Sequence, residues 1–155
     1  MDNRSNILFF LTPKDEVAYI YEDSSLGETM DKMEIFRYTS IPVLRRSGEY
    51  LGTITEGDLL WALKNKYMFD YEKAKGAEIA QLPRHADNLA VTIDTDVEDL
   101  IAKALDQNFV PVEDDRGMFI GIVTRRQVIQ YFRTKMEQPL RDFLSLDRSE
   151  ALSQG

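Results

Sequence analysis

The sequence predicts an α+β fold made of two copies of a β-α-β-β-α unit related by a pseudo-twofold axis. The first observation is an internal repeat, because Ile41-Pro42-Val43 and Tyr50-Leu51-Gly52-Thr53 return as Val110-Pro111-Val112 and Phe119-Ile120-Gly121-Ile122. The paired prolines and the paired glycines are each separated by 69 positions. The second observation is that short apolar runs alternate with segments of helical periodicity. The third is that three short strands leave an apolar sheet face uncovered, which a second unit can bury.

Local signals place the elements of the first copy. The polar turn Glu22–Ser25 carries a helix cap and precedes apolar residues at helical spacing. Gly48, in a polar loop between two apolar runs, predicts a hairpin. The predicted elements are a strand at Glu16–Tyr21, a helix with an apolar stripe at Leu26, Met30, Met33 and Ile35, strands at Ser40–Leu44 and Tyr50–Ile54, and a helix at Glu56–Lys66.

The second copy repeats this order but is shorter. Ser24-Ser25-Leu26 aligns with Thr95-Asp96-Val97 at a separation of 71, so two residues are missing between the first helix and the next strand. The predicted elements are strands at Leu89–Ile93, Val110–Glu113 and Phe119–Val123, and helices at Val97–Leu105 and Arg125–Lys135. The predicted organisation is a first repeat at 7–66, a connector at 67–85, a second repeat at 86–136 and a C-terminal tail at 137–155, expected to be a loosely attached short helix.

Composition excludes several classes of function. The 155 residues include no cysteine, which excludes disulfides, thiolate metal sites and cysteine nucleophiles. The net charge of −8 repels polyanions, so nucleic acid is not expected as a partner. The apolar run Ile7–Leu11 is too short for a signal sequence or a membrane span. We therefore expect a cytoplasmic protein without a resident cofactor, in which the single histidine, His85, is solvated.

Apolar residues at consecutive positions of the second helix in each copy predict a homodimer. Leu59, Leu60 and Trp61 in the first copy, and Val128 and Ile129 in the second, give more apolar surface than one seam within the chain needs. A twofold dimer would bury the surplus.

The motifs resemble the tandem CBS (cystathionine-β-synthase) domain pair, or Bateman module. The family pattern G-x-x-[ST]-x-x-D is complete in the first copy, and the similarity covers residues 7–136. Within the family, the combination is similar to stand-alone bacterial proteins that bind cyclic di-AMP. The resemblance implies a disc-shaped homodimer that senses a nucleotide without catalysis. The segments that carry it are Tyr38-Thr39-Ser40-Ile41-Pro42-Val43, Gly52-Thr53-Ile54-Thr55-Glu56-Gly57-Asp58 and Gly121-Ile122-Val123-Thr124-Arg125-Arg126.

The resemblance also implies where the nucleotide binds, because the family pairs the extended segment of one copy with the Gly-x-x-Thr segment of the other. An extended backbone can read the edge of a base, and arginine can bind phosphate through its planar fork. A second, mirror-related site is expected to be narrowed by the two-residue deletion. The first site would contain Val17, Ala18, Tyr38, Thr39, Ser40, Ile41, Pro42, Thr124, Arg125 and Arg126, and the second site would contain Thr55, Asp58, Asn108, Phe109, Val110 and Pro111.

Thr124-Arg125-Arg126 is unusual on physical grounds as well. Thr124 is expected to cap the following helix, whose first N–H groups attract anions and disfavour each cation by about 0.3–1 kcal/mol. Two arginines in that first turn indicate a bound phosphate. Two solvated surface arginines are the alternative interpretation.

Gln127 stands where the family pattern has Asp, and this difference bears on the ligand. In the family, that Asp accepts hydrogen bonds from both hydroxyls of a ribose. Cyclic di-AMP needs no such acceptor, because its 3′ oxygens lie in phosphodiesters, so it is the expected ligand of the first site.

Two alternatives stay open at this stage. One is an AMP, ADP or ATP sensor that uses Asp58, although Thr55 and Asp58 also read as a capping box. The other is a small phosphohydrolase, which is disfavoured because the sequence has no acidic or histidine cluster with metal spacing. The family suggests a (p)ppGpp synthetase or a metabolic enzyme as the regulated partner protein.

Overall fold

The computed structural model describes residues 6–85 and 87–153 and divides the strands between two sheets, one for each repeat. The predicted start of the second repeat at Ala86 and the last two residues of the tail lie outside the described residues. The helices are α1 (Asn6–Phe10), α2 (Leu26–Phe36), α3 (Glu56–Asn65), α4 (Tyr71–Ala74), α5 (Val97–Asp106) and α6 (Arg125–Ser153). The strands are β1 (Thr12–Pro13), β2 (Ile20–Tyr21), β3 (Ser40–Leu44), β4 (Tyr50–Thr55), β5 (Val91–Thr92), β6 (Phe109–Glu113) and β7 (Phe119–Thr124).

The first sheet has the order β2-β3-β4, with β2 parallel and β4 antiparallel to β3. Helix α2 begins where the sequence predicts, because the Ser25 hydroxyl accepts a hydrogen bond from the Glu28 N–H at 3.1 Å. Ile41, Val43 and Ile54 are fully buried between the sheet and its helices. This repeat therefore has a core of its own.

The second sheet has the order β1-β7-β6-β5, and its edge strand comes from the N-terminus of the chain. Thr12 and Pro13 pair with Ile122 and Gly121 of β7. Ile7 and Phe10 of α1 are buried in the second core. The N-terminal residues, which the sequence analysis assigned to the first repeat, thus pack on the second, and a two-residue strand is too short to show a period that would reveal it.

The repeats meet around a pseudo-twofold axis, which confirms the predicted fold class. Residues 69 positions apart meet there: Glu49 forms a β-bridge with Met118, and the ring of Tyr50 stacks on Phe119 with centroids 6.3 Å apart. A separate cluster of buried side chains lies between the sheets and consists of Val17, Leu44, Phe109, Phe119 and Ile122.

Two predicted strands are too long. The first is Ile20–Tyr21 rather than Glu16–Tyr21, because Lys14–Glu16 form a 3-10 turn. Its counterpart is Val91–Thr92 rather than Leu89–Ile93. Val17 and Ala18, before the first of these strands, bury their side chains without joining the sheet, whereas Leu89, before the second, is exposed.

Two helical expectations are wrong. Ile35 is exposed, and Thr29 is buried on α2 in its place, because its hydroxyl donates to the Ser25 carbonyl at 2.8 Å. The tail is not a separate short helix, since α6 continues through Pro139 to Ser153. None of the helices in the described ranges is long and apolar enough to cross a membrane.

The predicted apolar surplus on the second helices is present. Leu59 and Val128 are buried, whereas Leu60 and Ile129 are exposed. Trp61 lies on another face of α3, where it lines a cavity with Pro83 and His85. The homodimer itself stays a prediction.

Candidate functional site

Each Gly-x-x-Thr segment ends at a strand–helix junction that is closed by a capping box. In repeat 1, the Asp58 N–H donates to Thr55 Oγ1 at 3.1 Å, and the Thr55 N–H donates to Asp58 Oδ2 at 3.0 Å. In repeat 2, the Gln127 N–H donates to Thr124 Oγ1 at 3.2 Å, and the Thr124 N–H donates to Gln127 Oε1 at 2.8 Å. Gln127 therefore does the structural work of Asp58 without its negative charge.

The second polar atom of each capping side chain, Asp58 and Gln127, binds a segment that connects the two repeats. Gln127 Nε2 donates to Thr12 Oγ1 at 2.8 Å. Asp58 Oδ1 accepts from the His85 N–H at 3.1 Å and lies 3.4 Å from His85 Nδ1. The Asp58 side chain is only 1% exposed, whereas that of His85 is 80% exposed. The His85 side chain is exposed, as expected, and its backbone N–H is in addition bound to a buried carboxylate.

The apolar residues of the first predicted set are divided between two buried clusters. Ala18 and Ile41 belong to the core cluster of repeat 1. Val17 belongs to the cluster between the sheets together with Ile122, two residues before Thr124 in β7. All three side chains of the predicted set, Val17, Ala18 and Ile41, are buried in this structure.

In the extended segment Tyr38–Pro42, the contacts that the structure shows are made mainly by backbone atoms. The Thr39 carbonyl accepts from the Glu56 N–H at 3.0 Å. Ser40 and Pro42 are paired in the hairpin with Thr55 and Thr53. Tyr38 lines a groove between α2 and α3 of its own repeat, so its ring belongs to helix packing in this structure.

Arg125 is held inside its own repeat. Its Nε donates to the Ala104 carbonyl at 2.9 Å and its Nη2 donates to the Leu105 carbonyl at 3.3 Å, both near the C-terminus of α5. A cation stabilises the C-terminal end of a helix, which offsets the unfavourable position of Arg125 at the start of α6. The dipole argument therefore no longer identifies Arg125 as a phosphate ligand.

We expect Arg125→Ala to destabilise the ligand-free protein by about 1 kcal/mol, because two hydrogen bonds to helix carbonyls are lost. Urea denaturation measures the effect. Arg116→Ala is the matched control, since Arg116 is an exposed arginine in the loop before β7. Equal midpoints for the two variants would contradict this role of Arg125.

Arg126 behaves differently from its neighbour. It is exposed in the first turn of α6, next to Thr124. Its side chain has no hydrogen bond or ion pair with any residue in the ranges 6–85 and 87–153. Its unfavourable position at a helix N-terminus is therefore not offset within the described part of the chain.

The second predicted set is largely occupied by the chain itself. Phe109, Val110 and Pro111 are buried, and the Phe109 carbonyl accepts from Asn88 Nδ2 at 3.0 Å. The Tyr50 hydroxyl donates to the Asn88 carbonyl at 2.7 Å. Burial raises the pKa of the Tyr50 phenol, so this proton stays in place at neutral pH.

Sequence reasoning missed Asn88, although a signal for it was available. Asn88 lies 71 positions after Val17, which is the same offset that relates the first helices of the repeats. In this set, the Asn108 carbonyl also accepts from the Arg125 N–H, at 3.4 Å. The Thr55 hydroxyl, both carboxylate oxygens of Asp58 and the carbonyls of Asn108 and Phe109 are thus already bonded.

The sequence profile of the CBS domain matches residues 10–65 and 79–134. The chain belongs to the CBS domain family. The resemblance found in the sequence is confirmed; the first matched segment lies within the predicted first repeat, and the second begins at residue 79, within the predicted connector. CBS pairs are in general regulatory modules without catalysis, so the phosphohydrolase alternative is set aside. Among residues 6–85 and 87–153, no group of three or more histidine or acidic side chains could hold a metal ion.

Solved CBS pairs share this fold. CbpB in complex with c-di-AMP is 18% identical, with a TM-score of 0.78, and the match covers 88% of this chain and 89% of CbpB. CBSX2 of Arabidopsis thaliana, in complex with AMP, is 24% identical, with a TM-score of 0.67, and the match covers 83% and 96%. At these identities, the likeness shows the CBS-pair fold.

A curated relative carries a similar segment inside a longer protein. The CBS pair is 30% identical over 110 residues to homoserine O-acetyltransferase of Methanohalophilus mahii, which covers 71% of this chain. The chain spans about a fifth of the length of that relative, since 21% of it is matched. The acetyltransferase activity is that of the longer relative.

Proposed function

We propose that this chain senses cyclic di-AMP in the cleft between its two CBS repeats and regulates a partner protein. The observation that carries the proposal is the start of α6. Gln127 supplies no carboxylate and uses its side-chain atoms on Thr124 and Thr12. Arg126, one residue earlier, leaves its guanidinium exposed. This end of the cleft suits a phosphodiester better than a free ribose.

The chemistry of the ligand fits these two residues. A free ribose diol is held by a group that accepts a hydrogen bond from each of its two hydroxyls. A carboxylate can do this, but the Gln127 side chain cannot, because its amide is already hydrogen-bonded to Thr124 and Thr12. A cyclic dinucleotide ties its 3′ oxygens into phosphodiesters and presents anionic oxygens instead. Arg126 can bind these oxygens through charge-assisted hydrogen bonds, and the positive end of the α6 dipole adds a favourable field.

The proposed site keeps the first predicted set, with Arg126 as the phosphate ligand. Val17 and Ala18 are buried in this structure, so a base packs on them only when the repeats separate there, while Ile41 stays in the core of repeat 1 and Thr39 and Ser40 supply polar groups at the edge of the base. Tyr38 and Pro42 border this segment, and Thr124 meets ribose or phosphate. The complex of CbpB with c-di-AMP supports the choice of ligand, because that protein has the same fold.

The alternative is an AMP, ADP or ATP sensor that uses the second set. Two observations favour this alternative. Asp58 is the aspartate of the family pattern G-x-x-[ST]-x-x-D in the first repeat, and the structure of CBSX2 has been solved in complex with AMP. A ligand there must replace the bond between Asp58 Oδ1 and the His85 N–H. This competition supports the first site over the second.

Asp58→Asn separates the two functions. We expect it to remove any AMP or ATP binding and to leave cyclic di-AMP affinity within about twofold, because Asp58 lies only in the second set. Calorimetric titration of the folded variant measures both. Loss of cyclic di-AMP binding in a variant that still melts cooperatively would contradict the assignment of ligand to cleft.

Ligand binding regulates a partner only if the two poses of the repeats differ in their affinity for the nucleotide. We propose that the sensor works as a homodimer in the cytoplasm. The regulated protein would be a (p)ppGpp synthetase or a metabolic enzyme, as the family suggests.

A further inference from the structure

The two clefts between the repeats differ at one pair of equivalent peptide groups. Ala18 lies two residues before β2 and Leu89 lies two residues before β5, so the two are counterparts, 71 positions apart. Ala18 is buried, yet neither its N–H nor its carbonyl forms a hydrogen bond with any residue that the structure describes. A buried donor and acceptor without partners are costly, so a ligand that pairs with them is favoured.

Proline explains why the sheet leaves this peptide group unpaired. Strand β2 runs parallel to β3, and the Glu22 N–H donates to the Leu44 carbonyl at 2.9 Å. Earlier in this ladder the Ala18 carbonyl would accept from Pro42, which has no N–H. Pro111 stands at the corresponding position of β6. Both repeats therefore end the ladder at the same place.

In the second cleft, one side chain takes both free backbone groups. The Leu89 N–H donates to Gln107 Oε1 at 2.8 Å, and Gln107 Nε2 donates to the Leu89 carbonyl at 3.1 Å. Gln107 Nε2 also donates to the Phe109 carbonyl at 3.2 Å. The Gln107 carboxamide thus ties Leu89 to the start of β6.

This carboxamide presents the same hydrogen-bonding pattern as the edge of an adenine. It carries an acceptor oxygen beside a donor NH₂ group. Adenine carries a ring-nitrogen acceptor beside its donor 6-amino group. A peptide N–H and carbonyl that fit one of these edges also fit the other, and the two edges cannot be bound at the same time.

The shorter loop of repeat 2 positions Gln107. Two residues connect α5 to β6, whereas three residues connect α2 to β3. In the longer loop of repeat 1, Tyr38 lines the groove between α2 and α3, and no side chain of this described loop bonds to the Ala18 backbone. The first cleft therefore keeps its peptide group free, while the second does not.

We infer that the Gln107 carboxamide blocks the second cleft by occupying the Leu89 backbone groups that would hold a base, so that each chain has one nucleotide site. The inference rests on the proposed function, which places Ala18 at the base in the first cleft, and it adds the residue that sets the number of sites. Removing the carboxamide frees Leu89 for an adenine. Asp58 then accepts from the ribose once its bond to the His85 N–H is broken.

Calorimetric titration of Gln107→Ala with AMP tests this block. We expect the variant to bind AMP at least about tenfold more tightly than the parent chain, because the base no longer competes with the carboxamide. Gln130→Ala removes an exposed glutamine of α6 and should bind AMP like the parent chain. Adding Asp58→Asn to Gln107→Ala should abolish the gained binding, which assigns it to the second cleft.

Hydrogen exchange of the Leu89 N–H provides an independent measurement. We expect this N–H to exchange at least about tenfold faster in Gln107→Ala than in the parent chain, and to slow again when AMP is added. Gln107→Ser, whose hydroxyl is too short to replace the amide, is a second variant with the same expected results.

AMP affinity and Leu89 exchange equal to those of the parent chain in the folded variants would overturn the inference. A gain in AMP affinity that survives Asp58→Asn would also overturn it, because AMP would then bind outside the second cleft. Titration with cyclic di-AMP separates the two proposals. A gain in AMP binding without any cyclic di-AMP binding would refute the sensor and support the block, whereas one cyclic di-AMP per chain without a gain in AMP binding would refute the block alone.

Discussion

Arg126→Ala is expected to weaken cyclic di-AMP binding by about ten- to a hundredfold. Charge-assisted hydrogen bonds contribute about 1.5–3 kcal/mol each, and a factor of ten in affinity is about 1.4 kcal/mol. Arg126 is exposed at the start of α6 and has no polar partner within the described ranges, so binding need not break an existing bond. Isothermal titration calorimetry at fixed ionic strength measures the change.

Two observations on the same variant separate binding from folding. Without ligand, Arg126→Ala should melt at the same temperature as the parent chain or slightly higher, because a cation leaves a helix N-terminus. Arg116→Ala, the exposed loop control, should keep full affinity. Affinity should fall only moderately with added salt, since few phosphates are neutralised. Equal affinity of Arg126→Ala and the parent chain would contradict the role of Arg126 as a phosphate ligand and leave it as a solvated surface residue.

Gly121→Ala is expected to lower the free energy of unfolding by about 1–3 kcal/mol, because it forces a side chain into a packed junction. A Cβ at Gly121 would collide with the carbonyl oxygen of Thr12 and would lie 3.1 Å from Pro13 Cα. These are backbone atoms of β1, so they can yield only by moving the strand away from β7. Such a movement would also withdraw Ile7 and Phe10 from the second core.

Other glycines provide controls for this effect. Gly76→Ala should change the free energy of unfolding by less than about 0.5 kcal/mol, because nothing lies within 4 Å of a Cβ placed there. Gly52→Ala should fall between the two, since its neighbour is the Asp87 carboxylate, a side chain that can rotate. Urea denaturation and hydrogen exchange of residues 6–13 measure both stability and docking. A Gly121→Ala variant as stable as Gly76→Ala would contradict the packing of β1 on β7.

The paired repeats could be predicted because their signals are local. Strands β3 and β4 are five and six residues long, and a glycine-containing turn lies between them. Because the same motifs return 69 positions later, the hairpin of β6 and β7 could be predicted as well. Strand β1 could not be predicted in this way, since its two residues pair with a strand more than a hundred positions later.

The chemistry of the site was predicted less completely, for a physical reason. The sequence marks Arg125 and Arg126 alike, but Arg125 binds backbone carbonyls, which every residue carries and no residue type signals. The same holds for the bond from the His85 backbone to Asp58. Gln127 was noticed as a departure from the pattern, while its bond to Thr12 depends on the docking of β1.

The most direct test of the sensor is calorimetric titration of the full chain with cyclic di-AMP, AMP, ATP and cyclic di-GMP under one set of conditions. We predict saturable binding of cyclic di-AMP at the first site, with AMP and ATP weaker by at least about tenfold, because Gln127 offers no carboxylate to a ribose diol. A thermal-shift series with the same nucleotides should show the same order. Saturable binding of AMP or ATP without any heat from cyclic di-AMP would contradict the account.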